Sequence, residues 1–193
     1  LVGHSMGGRV AMEVAKIAAT DEGLLRAVVV EDMDCKPRSA WLPETPELPD
    51  FDRSFATLAD AKEALRPFYD SGRIDSWVGK RLRETGGGTW WSDINPRARS
   101  LAKTRVLCSR DGTDAWSCLS AEAKLPFEVH LWVAGSEGTV CDWDGDDGID
   151  DLALRLPTAF VKEYKTAAHS IHNTAPEEYM AELFAIIDRA TPK

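Results

Sequence analysis

The first eight residues, Leu1-Val2-Gly3-His4-Ser5-Met6-Gly7-Gly8, hold a serine with a glycine two positions to either side. Read as G-x-S-x-G, Gly3 to Gly7 describe a nucleophile elbow: an apolar strand end, a sharp turn carrying the serine, then a helix. A serine at the tip of such a turn sits in a strained backbone conformation. Side chains at the flanking positions are expected to collide with the neighbouring strand and helix, and Gly3 and Gly7 remove them. The turn lifts the Ser5 hydroxyl clear of the sheet. It also aims the N–H of Met6, at the helix N-terminus, at the place where an oxyanion would develop. Acyl transfer is the chemistry such an arrangement serves.

The motif needs a helix behind it and a strand beyond that. Arg9 to Ala18 places Val10, Val14, Ile17 and Ala18 at helical spacing, which predicts an amphipathic helix. After Gly23 and Leu24, the β-branched run Ala27-Val28-Val29-Val30 reads as a buried parallel strand. The order strand end, serine turn, helix, strand is the one the elbow requires.

With these segments the chain resembles the α/β-hydrolase superfamily, and within it the compact serine esterases. The residues carrying the likeness are Val2 to Gly8, Val29-Val30-Glu31-Asp32-Met33 and Ala167-Ala168-His169-Ser170-Ile171-His172. The resemblance implies an α/β fold: the C-terminal part of a mostly parallel sheet with helices on both faces and a small helical cap inserted in it. It also implies about four strands ahead of the elbow, and a loop supplying the second oxyanion N–H. None of these is in the sequence, which opens on Leu1 inside a strand and therefore reads as a fragment. The expected organisation is a core over 1–35, a helical cap over 36–100 and the rest of the core over 101–193.

Composition bounds the remaining classes. The 193 residues are 44% hydrophobic and 28% charged, enough for one core with an insertion. A formal net charge of -9 disfavours a nucleic-acid partner, whose phosphates are neutralised by Lys and Arg. No apolar run approaches the roughly 20 residues that cross a bilayer. Cys35, Cys108, Cys118 and Cys141 lie far apart with no C-x-x-C pair, and read as reduced core residues. The sequence leaves oligomeric state and localisation open.

From Cys35 to Asp52, Pro37, Pro43, Pro46 and Pro49 recur among acidic residues, predicting an exposed linker. A helix behind a Ser54 cap is expected through Leu65, with Phe55, Leu58, Ala61 and Leu65 on one face, and a second from Ile74 to Arg83, ended by Gly86-Gly87-Gly88. Trp41, Trp77, Trp90 and Trp91 fall in this region. They are read as packing before pocket lining, with Trp90-Trp91 the best lining pair.

The core resumes near Leu101 with the short apolar run Arg105 to Cys108, a helix over Ala115 to Ala123 and a strand over Phe127 to Ala134, ending at Gly135. Many family members place an acid three residues past that glycine, where this chain has Gly138. Glu137 and Asp142 are the neighbouring substitutes. Asp32, at the C-terminal end of the Val28 to Val30 strand, lies on the same rim as Ser5. The resemblance favours it too, since members with Val-Glu-Asp followed by proline use that acid. Asp32 is thus preferred over Glu31, against the alternative that it only caps a turn.

Asp142 to Asp151 alternates carboxylates as a calcium loop does. However, Asp147 stands where a glycine is needed and Ala153 where a bidentate Glu is needed. A solvated acidic loop is the preferred reading, with no metal and no cofactor. A short helix is expected over Leu152 to Leu156 and a last strand over Ala159 to Tyr164. By the resemblance, His169 on the following loop is the general base, ahead of His172. His4 and His130 read as packing. Pro176 to Ala190 is an amphipathic closing helix.

The expected activity is hydrolysis of a small-molecule ester or thioester through Ser5, His169 and Asp32, with Met6 N–H at the oxyanion. C–C bond hydrolysis, acyl transfer with the same triad, or a non-catalytic interaction module are the alternatives.

Overall fold

Three apolar runs and one mixed run become the four strands of a parallel sheet in the computed structural model, which describes residues 1–21, 23–38, 51–108, 125–136 and 139–191. They are β1 (Val2–His4), β2 (Ala27–Glu31), β6 (Glu128–Ala134) and β7 (Phe160–Tyr164), in the order β1-β2-β6-β7. The register pairs His4 with Glu31, Glu31 with Trp132 and Ala134 with Tyr164. All four strands run the same way, so their C-terminal ends share one rim, the edge where open parallel sheets place their chemistry.

Side chains alternate across such a sheet, and the buried residues sort accordingly. Val28, Val30, Leu131 and Val133 face a core with Met12 and Ala15 of α1 (Met6–Ala18) and Leu152 of α5 (Ile149–Arg155). Val29, Trp132 and Tyr164 face a second core with Ile171 of α6 (Ile171–Thr174) and with Tyr179 and Ile186 of α7 (Pro176–Ala190). The sheet carries helices on both faces, as expected of the fold class. Every residue of β2 is buried, as its unbroken apolar run requires of a central parallel strand. β1 is an edge of this sheet, and Leu1 and Val2 are exposed.

The helix after the serine buries a different face from the one its larger side chains suggest. Val10 and Ile17 are exposed, while Gly8, Ala11, Met12, Ala15 and Ala18 are buried. Close approach is the reason. A Cβ on Gly8 would lie 2.9 Å from Met33 Cβ, so the helix meets the sheet along its small residues. Val10 and Ile17 turn outward, while Arg9 and Met12 are the large side chains of this helix that are buried.

A second compact unit spans Trp41–Thr104, and the first comprises Leu1–Ala40 with Arg105–Lys193. The second unit is not purely helical. β3 (Ser54–Phe55), β4 (Leu82–Glu84) and β5 (Trp90–Ser92) form an antiparallel sheet in the order β3-β5-β4, beside α2 (Leu58–Leu65), α3 (Ser71–Arg73) and α4 (Pro96–Ala102). Ser54 is therefore a strand residue. Thr57 caps α2 instead, its hydroxyl accepting from Asp60 N at 3.1 Å. The expected helix over Ile74 to Arg83 is a π turn followed by a 3₁₀ turn, and gives way to strand at Leu82. The three glycines sit in the β4–β5 turn, where Gly88 has φ +76°. Trp90 packs on the unit's own core of Ala61, Leu65, Tyr69, Ile74, Val78 and Leu82. Trp91 lies under the Arg53 guanidinium at 4.7 Å.

The run from Arg105 is helical too, a π turn over Lys103–Leu107, with Leu107 and Cys108 buried. The expected helix at Ala115 to Ala123, the prolines at 43, 46 and 49, Trp41, Cys118, Glu137 and Gly138 lie outside the described residues, as does the side chain of Trp77.

Candidate active site

β1 ends at His4, α1 begins at Met6, and Ser5 between them has φ 54° and ψ -127°. A side chain in this left-handed region is strained and persists only where neighbours hold it. Here Ser5 N–H donates to Glu31 O at 3.0 Å, and Ser5 O accepts from Gly8 N at 2.7 Å. Gly3 makes the turn feasible, since a Cβ there would stand 2.2 Å from Gly7 O and 2.8 Å from Ala11 Cβ. Gly7 itself faces open space, so the crowded positions are Gly3 and Gly8, not Gly3 and Gly7. Met6 opens the helix, and the first turn of a helix leaves its N–H groups without an intrahelical acceptor.

The loop after β7 folds back under two ties. Ser136 donates to Ala167 O through both its backbone N–H, at 3.0 Å, and its hydroxyl, at 2.8 Å. Ala168 N–H reaches Thr174 Oγ1 at 3.1 Å. These bonds carry His169 to the serine, its Nε2 2.9 Å from Ser5 Oγ and its Nδ1 2.6 Å from Asp32 Oδ2. The bonding fits one tautomer: Nδ1–H donates to the carboxylate, and Nε2 keeps a lone pair for the serine proton.

Asp32 also has a positive φ, 46°, and is fully buried. Its Oδ1 accepts from Ala134 N at 3.1 Å and Thr139 Oγ1 at 2.6 Å, and its Oδ2 from Val140 N at 2.9 Å as well as from His169. Burial works against the ionised form. The bonds from His169, Thr139, Val140 and Ala134 outweigh it and hold the Asp32 pKa below the ordinary carboxylate value. Thr139 and Val140, in the segment after β6, are two of these donors. Asp142 pairs with Lys36 at 3.3 Å, and its N–H donates to Asp34 Oδ2. Asp147 and Asp151 are tied to Arg155, and Asp150 and Asp151 belong to the first turn of α5 and not to the acidic loop expected through Asp151.

Glu31 faces a different partner. Its Oε1 accepts from His172 Nδ1 at 2.7 Å and from His172 N at 3.1 Å. Two adjacent acids at the end of β2 thus take two histidines three residues apart. The sequence contains both pairs, but nothing in their spacing says which acid takes which ring. His4 Nε2 lies 3.0 Å from His169 O, and the two rings are 4.6 Å apart. Burial lowers the His4 pKa more than the nearby Glu31 carboxylate raises it, so His4 is a neutral donor at neutral pH. His130 stacks on Phe160 at 4.9 Å and bonds Glu128.

Cys35, Cys108 and Cys141 are buried and form no disulfide among the described residues. Burial pushes the Cys35 and Cys141 thiols far up, and the carboxylates of Asp32 and Asp34 add to this at Cys141. Thiolate is the reactive form, so iodoacetamide at about pH 8 is expected to leave both unmodified in the folded protein. Both should label after denaturation. Peptide mass mapping reads the difference, and native labelling at either would contradict the burial.

Among the described residues no helix is long and apolar enough to cross a membrane. No curated protein matches the chain. Solved structures do. A marine microorganism esterase superposes with TM-score 0.58 at 15% identity, over 96% of this chain and 68% of that one. An E-2-(acetamidomethylene)succinate hydrolase also gives 0.58, at 20% identity over 97% and 66%. A peroxisomal alpha-beta-hydrolase of Saccharomyces cerevisiae gives 0.56 at 15% identity, over 100% and 53%. The chain thus spans between 53% and 68% of the length of these three relatives. At such identities the likeness speaks for the fold. The profile described as "Alpha/beta hydrolase family" matches residues 1–182, and with it the chain belongs to the alpha/beta hydrolase family.

Proposed function

We propose that Ser5, His169 and Asp32 form the catalytic triad of a serine hydrolase that cleaves a carboxylic ester or thioester through an acyl-enzyme. The observation that carries this reading is the continuous chain from Ser5 Oγ to His169 Nε2 at 2.9 Å and from His169 Nδ1 to Asp32 Oδ2 at 2.6 Å. It lies at the C-terminal rim of a parallel sheet.

In the first step Ser5 Oγ attacks the substrate carbonyl carbon and its proton passes to His169 Nε2. The Met6 N–H stabilises the tetrahedral oxyanion, aided by the positive end of α1. As the C–O or C–S bond breaks, His169 returns the proton to the departing alkoxide or thiolate. A water then attacks the Ser5 ester, giving its proton to His169 Nε2, and as the acyl C–O bond to Ser5 breaks His169 passes that proton to Ser5 Oγ and the acid is released. Asp32 stays ionised throughout. It keeps the proton on Nδ1 and steadies the imidazolium.

The experiment is covalent labelling of the full chain with a fluorophosphonate, followed by peptide mass spectrometry. The expected result is one adduct, on Ser5, with loss of p-nitrophenyl acetate turnover in proportion to labelling. An adduct elsewhere, or an active protein that carries none, would overturn the assignment.

A further inference from the structure

We infer that His4, Glu31 and His172 are positioning residues that act as a clamp on the loop carrying His169, an inference that rests on the proposed triad and extends it. The clamp has two arms. In the first, the elbow residue His4 donates Nε2–H to His169 O at 3.0 Å, holding the backbone of the base itself. In the second, Glu31 Oε1 receives both the backbone N–H and the ring Nδ1–H of His172, at 3.1 and 2.7 Å. This fixes the α6 turn three residues further on.

The His4 ring packs against both histidines, at 4.6 Å from His169 and 5.0 Å from His172. Asn173 Nδ2 lies 3.0 Å from His172 Nε2, so the remaining ring nitrogen of His172 is engaged as well. The register pairs His4 with Glu31 across β1 and β2, so both arms start from neighbouring points on one sheet edge. Glu31 and Asp32 are consecutive in the chain and grip His172 and His169. The distance from acid to base is therefore fixed twice, at both ends of one short loop.

The same three side chains bring one ligand atom each within 4.8 Å of one another. Hydrogen bonds account for that convergence, because Glu31 Oε1 already serves His172 twice and His4 Nε2 is committed to His169 O.

A loop so held matters because misplacing a catalytic group by about 1 Å costs on the order of 10²-fold in rate. The clamp acts through the position of His169, so the effect belongs to kcat. The test is steady-state kinetics of Glu31→Ala, Glu31→Gln and His4→Phe on p-nitrophenyl acetate, below the melting temperature of each variant as read by circular dichroism.

The expected result is a kcat lower by about ten- to a hundredfold in Glu31→Ala and His4→Phe, with KM within about twofold. Glu31→Gln keeps an oxygen that can accept from His172, and it should restore kcat to within about threefold. His4→Phe keeps the ring and loses only the donor, so it decides the matter if Glu31→Ala does not fold. Unchanged kcat in His4→Phe, a change confined to KM, or a Glu31→Gln variant as slow as Glu31→Ala would each overturn the clamp. Wild-type protein that labels normally at Ser5 while the variants keep full kcat overturns the clamp alone. Failure of the wild type to label overturns the triad and the clamp together.

Discussion

Replacing Asp32 with Asn is expected to lower kcat by about 10⁴, the cost of the wrong imidazole tautomer in the serine protease triad. The hydrogen bonds at this carboxylate explain why an isosteric amide cannot serve. The bonds from Ala134, Thr139, Val140 and His169 all bring donors to the Asp32 carboxylate, and an amide has one oxygen to offer and one NH₂ that must face donors. If the NH₂ takes the Oδ2 side, it meets Val140 N–H and His169. The ring must then accept at Nδ1 and carry its proton on Nε2, facing Ser5. If it takes the Oδ1 side, the Ala134 N–H loses its acceptor, a buried loss of about 1–3 kcal/mol.

Stability responds to pH in the same sense. The folded-state pKa of Asp32 lies below its unfolded value. The carboxylate thus adds stability that is present above the ordinary carboxylate range and is lost as pH falls through the depressed value. Turnover assays and thermal melts of Asp32→Asn read both effects. The acid would have to be reassigned if Asp32→Asn kept wild-type kcat and Asp142→Asn abolished it.

Gly3→Ala is expected to lower stability by at least about 3 kcal/mol, beyond the upper end of ordinary overpacking. The new Cβ would stand 2.2 Å from Gly7 O, 2.6 Å from Gly7 C and 2.8 Å from Ala11 Cβ. Two of these are backbone atoms of α1, which cannot rotate away as a side chain would. Relief requires moving the helix, and Ser5 and Met6 move with it. Against a typical net stability of about 5–15 kcal/mol, this threatens folding outright. In a domain of this size it corresponds to a fall in Tm of roughly 6–12 °C.

Gly7→Ala is the control. Nothing lies within 4 Å of its Cβ position, and alanine in place of a helical glycine gains about 0.5–1 kcal/mol. Thermal and urea melts of the two variants should therefore diverge. Equal stability would show that the backbone at Gly3 has room to move.

By itself, the sequence determined the features whose signals are local. Gly3-His4-Ser5-Met6-Gly7 specifies its own turn, because chain geometry allows few other ways to pass from strand to helix in so few residues. The apolar run at Ala27 to Val30 specifies a buried parallel strand, and the run at Phe127 to Ala134 a strand. With both strands parallel to β1, Ser5 and the end of β2 necessarily share a rim.

Tertiary structure decided what depends on surfaces far apart in the chain. Which carboxylate faces His169 follows from contacts spanning 137 residues and from the donors of Ala134, Thr139 and Val140. Composition near Asp32, Glu31 or Asp142 carries no trace of those donors. The buried face of α1 was set by how closely the helix approaches Val30 and Met33 at Gly8, so residue size outweighed hydrophobicity at Val10 and Ile17. Ser54 and Phe55 became strand because Trp90 and Trp91 were there to pair with them. Strand pairing is a contact between segments, and neither segment encodes it alone.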